Sequence, residues 1–113
     1  MDANQRQRQI SAILAGHAEG LKFIDANGVL EDIYAAGVIE YHEFFDIIDK
    51  NATKKVLFLR KVVPLKGDGA FSALVDSLRN RGHIALANSL ENGVTFICLF
   101  FYLRARDVFI SET

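Results

Sequence analysis

Apolar residues recur along most of the chain at the three- and four-residue spacing of helices buried on one side. Ile10, Ile13, Leu14, His17, Leu21 and Ile24 fall at i, i+3, i+4, i+7, i+11 and i+14, which predicts an amphipathic first helix. Gly16 and Gly20 lie inside it. Each glycine costs a helix interior about 1 kcal/mol relative to alanine, so a bend or break is expected near Gly16. Asp25 or Asn27 is placed to cap a short second helix in which Leu30, Ile33 and Tyr34 point inward, and Gly37 stands at its left-handed stop. After a turn at Val38 and Ile39, Tyr41, Phe44, Phe45 and Ile48 repeat the spacing, with Glu40, Glu43, Asp46 and Asp49 on the opposite side. The third helix is thus expected to be oily inside and acidic outside.

Asn51 or Thr53 can cap a fourth helix that runs through Val63. Val56, Phe58, Leu59, Val62 and Val63 share one half of its wheel; Lys54, Leu57, Arg60 and Lys61 share the other. Pro64 is expected to end it, having no N–H to donate and forcing its predecessor out of helix. Asp68 is expected to cap a fifth helix built on Phe71, Leu74, Val75 and Leu78, with Gly82 at the stop. A short sixth, 83–91, offers Leu86, Ala87 and Leu90. Before Asn92 no stretch alternates as a half-buried strand does, which predicts an all-α bundle of six helices over residues 1–91. Asn92-Gly93 then signals a turn into VTFICLFFYL, rich in β-branched and aromatic residues. Residues 92–113 therefore form a hydrophobic tail: an extra helix packed on the bundle, a strand that pairs in an oligomer, or a loosely held segment. This ten-residue run is too short to cross a bilayer.

Charge changes this picture. Residues 19–49 carry eight acids (Glu19, Asp25, Glu31, Asp32, Glu40, Glu43, Asp46, Asp49) and one base, Lys22; residues 50–66 carry six bases (Lys50, Lys54, Lys55, Arg60, Lys61, Lys66) and no acid. A net charge of −1 over 113 residues hides a two-signed molecule. Opposite patches on one small domain suit head-to-tail association with copies or relatives, because complementary fields steer encounter and fix register. Leu57 among Lys54, Arg60 and Lys61 is an apolar residue inside a basic patch, the place of an interface anchor. The polar amino end has no secretory apolar core, and Cys98 is the one cysteine, so no intrachain disulfide forms. Both features fit a cytosolic protein.

Catalytic, metal and cofactor readings lack their parts. His17, His42 and His83 show no ligand spacing, and Cys98 has no base near it in sequence. Asp25-Ala26-Asn27-Gly28 places its glycine too early for a calcium loop and has Ala36 where the bidentate Glu belongs. GDGAF lacks the second spacer and the lysine of a phosphate loop. Neither an enzyme nor a cofactor is expected. The rival from another class is nucleic-acid binding through Lys54, Arg60 and Lys61, against which the eight neighbouring acids would repel a phosphate backbone.

LEDIYAAGVIEYHEFFDII (30–48) and GDGAFSALVDSLRNRGHIALANSL (67–90) resemble segments of caspase recruitment domains, of the death-fold superfamily. The first is similar to that family's apolar second helix, glycine turn and acidic-apolar third helix. The second is similar to its small-residue turn, the Ala-Phe opening the fifth helix and the histidine before the sixth. The resemblance covers roughly residues 5–91 and extends to the stand-alone recruitment-domain proteins of iridoviruses. It implies a Greek-key bundle of six antiparallel helices whose first is bent. It also implies homotypic binding to a caspase, adaptor or signalling receptor, or to itself, in apoptosis or innate immune signalling. Glu31, Asp32, Glu40, Glu43 and Asp46 match the acidic face of such domains, and Arg6, Arg8, Lys54, Arg60 and Lys61 the basic face. No protease, nucleotide-binding or kinase module accompanies the domain in this sequence, which favours an inhibitory decoy or cap over a transmitter.

Overall fold

A computed structural model describes residues 3–93, which form helices and no strand. α1 (Ala3–Gly16) and α2 (Ala18–Leu21) are separated at His17, whose backbone (φ −110°, ψ 20°) leaves the helical region. The break expected near Gly16 is there, and counting its two arms separately gives seven helices where the spacing predicts six. α3 (Ala26–Ala35), α4 (Tyr41–Ile48), α5 (Ala52–Lys66) and α6 (Asp68–Asn80) follow, and 84–93 form α7.

The termini of these helices follow from single side chains. Asp25 accepts from the Gly28 N–H at 3.2 Å to start α3, and Asn51 accepts from the Lys54 N–H at 2.9 Å to start α5. Both α3 and α6 stop in the same way. Gly37 (φ +80°) and Gly82 (φ +89°) take the left-handed conformation. The amides that follow them, Val38 and His83, reach back to the Ile33 and Leu78 carbonyls at 3.0 and 2.8 Å.

One core joins the helices. Ile10, Ile13 and Leu14 of α1, Val29, Leu30 and Ile33 of α3, Leu59, Val62 and Val63 of α5, Phe71, Leu74 and Leu78 of α6, and Ala87 and Leu90 of α7 are all buried in it. α5 is the hub: α1, α3, α4 and α6 all pack on it, and α3 also packs on α4 and α6. No described helix is long and apolar enough to cross a membrane.

Four expectations are corrected. Pro64 does not end α5, which runs to Lys66 before Gly67 (φ +91°) turns the chain. A proline so near the end withholds one hydrogen bond, to the Arg60 carbonyl, and its ring is buried in return. Asp68 is not a cap but the first residue of α6, its side chain taken by Arg6. The turn at Asn92-Gly93 is absent: both are helical, and a Cβ on Gly93 would lie 3.3 Å from Ile13 Cγ2, so packing on α1 overrides the local turn preference. The apolar run from Val94 lies outside the described residues.

The fourth concerns α4. None of its residues is fully buried; Phe44, Ile47 and Ile48 lean on the core, while Tyr41 and Phe45 are 63% and 52% exposed. The helix is rotated so that the inward edge is 44, 47 and 48, and two aromatics fall outside it. An eight-residue helix with five apolar residues has more apolar surface than its packing on α3 and α5 covers.

Candidate functional site

The expected acidic face lies on α3 and α4, and the structure divides its members by what each already holds. Asp32 is taken up inside the molecule. Arg81 donates to it twice, Nε to Oδ2 at 3.0 Å and Nη2 to Oδ1 at 2.9 Å, and the buried Ser77 hydroxyl donates to Oδ2 at 2.6 Å. Arg81 first and Ser77 second hold the Asp32 carboxyl below its ordinary range, against a smaller opposing effect of burial. Gly28 makes room for this, since a Cβ there would fall 2.5 Å from Arg81 Cζ.

Glu43 is also committed. Its Oε1 accepts from the Glu40 N–H at 3.0 Å in a capping box at the start of α4, and Lys66 Nζ stands 3.5 Å away. The Glu40 N–H lowers the Glu43 pKa most, burial opposes, and the Lys66 charge adds to the lowering. Glu40 itself lies 3.4 Å from His42 Nδ1. Glu31 and Asp46 are exposed, and no ion pair engages either among the described residues. The expected face is thus thinned to Glu31 and Asp46, with Asp32, Glu40 and Glu43 serving the fold.

The expected basic face is fuller. Lys54, Arg60 and Lys61 lie on α5, and Arg8 lies exposed on α1, which packs on α5. Among the described residues no ion pair engages any of these four, and Leu57 is 53% exposed on the same helix as the three α5 bases. Arg6 differs: it pairs with Asp68 and donates to Gln9 Oε1 at 3.2 Å, tying α1 to α6. Beside Leu57 a groove runs between α2 and α5, lined by Ala18, Lys22, Thr53, Val56, Leu57 and Arg60. Lys22 holds Glu19 at 2.9 Å on its rim.

Sequence reasoning missed the aromatic surface on α4. Tyr41 and Phe45 meet at a tilt with ring centroids 4.3 Å apart, and Tyr34 of α3 stacks on Phe44 at 4.7 Å. Edge contacts at 6.5 Å (Tyr34 to Tyr41) and 5.7 Å (Phe44 to Phe45) close a four-ring cluster. The signal was present as an apolar arc too wide for one face.

Two of the histidines, His17 and His83, serve the fold. His17 Nδ1 donates to the Ile13 carbonyl at 2.7 Å, so Nε2 is left to accept from Ser89 Oγ at 2.8 Å, which pins α7 to the break between α1 and α2. His83 Nε2 accepts from the Asp25 N–H at 3.1 Å. No group of three His, Cys, Asp or Glu side chains able to hold a metal ion occurs among the described residues. No family model, curated protein or solved structure matches the chain.

Proposed function

We propose that this chain is a homotypic interaction module of the caspase recruitment type, a six-helix death fold with a bent first helix. On this reading it occupies an interface of a recruitment-domain caspase, adaptor or signalling receptor and so modulates assembly. The observation that carries the proposal is the separation of charges that no ion pair takes up among the described residues: Lys54, Arg60 and Lys61 on α5 beside Leu57, with Arg8 on α1, and Glu31 and Asp46 on α3 and α4. Charges neutralised within the fold, such as Asp32 with Arg81, add nothing to long-range steering; those left over produce the field a partner meets first. The helix order, the break at His17 and the acidic α3 and α4 ahead of a basic α5 support the same reading.

A chain that takes an interface of an adaptor displaces a regular subunit there, so inhibition is the expected direction. The test is elongation of a reconstituted recruitment-domain adaptor filament in the presence of the chain. Elongation slows as the chain is added; unchanged elongation at molar excess contradicts the proposal.

A further inference from the structure

We infer that the chain's own apolar run, residues 94–103, seats in the groove between α1 and α6 and covers Phe71 and Val75 there. The inference goes beyond the proposed function and stands without it.

The direction of α7 aims the run at this groove. Ser89 meets His17, and four residues later a Cβ on Gly93 would meet Ile13, four residues earlier on α1. α7 therefore runs antiparallel to α1, and the chain leaves Gly93 heading toward the start of α1, where Arg6 pairs with Asp68 at the start of α6. Glu91, two residues before Gly93, lines the groove, and so do Arg6 and Asp68, so the groove lies along that path. Arg6 is seven residues before Ile13, about 10 Å along the helix axis. Ten residues span about 15 Å as helix and about 33 Å extended, which covers the distance in either form.

The chemistry of the groove suits the run. Phe71 and Val75 give it an apolar floor, and an apolar surface as large as Phe96, Ile97, Leu99, Phe100, Phe101 and Leu103 present together is rarely left in water. Asp68, Asp76 and Glu91 set three carboxylates on the rim, and the fold pairs them with two cations, Arg6 and Arg79. An acidic excess remains, and the run is followed by Arg104 and Arg106, with no acid between Glu91 and Asp107. The groove between α2 and α5 has the opposite sign: Lys22 and Arg60 line it and would repel those arginines. No residue lining the α1–α6 groove belongs to α5, so a run seated there leaves Lys54, Arg60 and Lys61 open to a partner.

Cys98, the one cysteine, stands inside the run and serves as the probe. Two variants of the full chain each add a cysteine at an exposed position, Ser72→Cys in this groove and Thr53→Cys in the α2–α5 groove. Both should keep the wild-type circular dichroism melt. Each is treated at high dilution with a short bismaleimide, and the intramolecular link is read by mass spectrometry as one reagent joining both thiols at monomer mass. Ser72→Cys is expected to link about tenfold faster than Thr53→Cys or more, because a seated run holds the two thiols at high effective concentration. Equal rates, or faster linking in Thr53→Cys, would overturn the inference. Covalent dimers in place of the internal link would overturn it in favour of a second copy as the run's partner. Flotation of the wild-type chain with phosphatidylcholine–phosphatidylserine vesicles would overturn it in favour of a lipid surface.

Discussion

Arg81 grips Asp32 by two parallel hydrogen bonds, at 3.0 and 2.9 Å, across 49 residues of chain. The pair fastens the end of α6 to the middle of α3, and Ser77, one turn earlier on α6, donates to the same carboxylate at 2.6 Å. Ser77→Ala removes a buried donor to a charged acceptor and is expected to lower stability by about 1.5 kcal/mol, read from the urea midpoint. Arg81→Ala should lower the midpoint as well and let the Asp32 carboxyl titrate closer to its ordinary range, as carboxyl carbon shifts followed against pH would report.

Asp32 and Glu43 each tie the stability of the fold to pH on the acid side. Both are held below their ordinary values, Asp32 chiefly by Arg81 and Glu43 chiefly by the Glu40 N–H. In the unfolded chain such groups titrate near about 4, so the unfolded state binds more protons there than the folded one does. The stabilisation is therefore full above that range and is lost as pH falls through the lower folded values. Urea midpoints measured against pH should drop on that acid limb, and the double variant Asp32→Asn/Glu43→Gln should be less stable at neutral pH with a shallower limb.

Phe71 is buried on α6 against the common core. Phe71→Ala should cost about 3 to 5 kcal/mol, a large part of the roughly 5 to 15 kcal/mol of a domain this size. Calorimetry should show a melting temperature many degrees lower, whereas Phe45→Ala, at an exposed ring, should leave it nearly unchanged.

The elements that could be read from sequence are those whose cause is local. Gly16 marked the break because a glycine weakens a helix wherever it sits, and Gly37 and Gly82 marked stops because only their freedom at positive φ closes those ends. The caps were legible to within a pair, Asp25 or Asn27 and Asn51 or Thr53, of which the structure selects Asp25 and Asn51. Asp32 was not legible as a fold residue, since its partners lie 45 and 49 residues away and a count of charges along the chain treats it like Glu31. The exposure of Tyr41 and Phe45 was hidden because five apolar residues in eight fit two rotations of α4, and only its packing on α3 and α5 chooses between them. Pro64 and Gly93 misled in one direction: each is unfavourable in a helix taken alone, and each is kept there by what it packs on.

Glu31 and Asp46 give a cleaner test of the acidic face than Glu43, whose reversal would also break the cap of α4. Glu31→Lys/Asp46→Lys should weaken docking on a recruitment-domain partner while leaving the helical circular dichroism intact. The loss should shrink as salt rises and screens the exposed charges.

The most direct measurement is the affinity of the chain for a recruitment-domain adaptor, titrated at low and high salt, with Lys54→Glu/Lys61→Glu beside the wild type. Neither lysine is ion-paired within the described residues, so reversal leaves the fold alone and acts on the field. The account predicts binding that is weakened by a few kcal/mol at low salt and recovers in part when acids on the partner's facing surface are reversed to match. Equal affinity for the wild-type and reversed proteins at every salt concentration would contradict it.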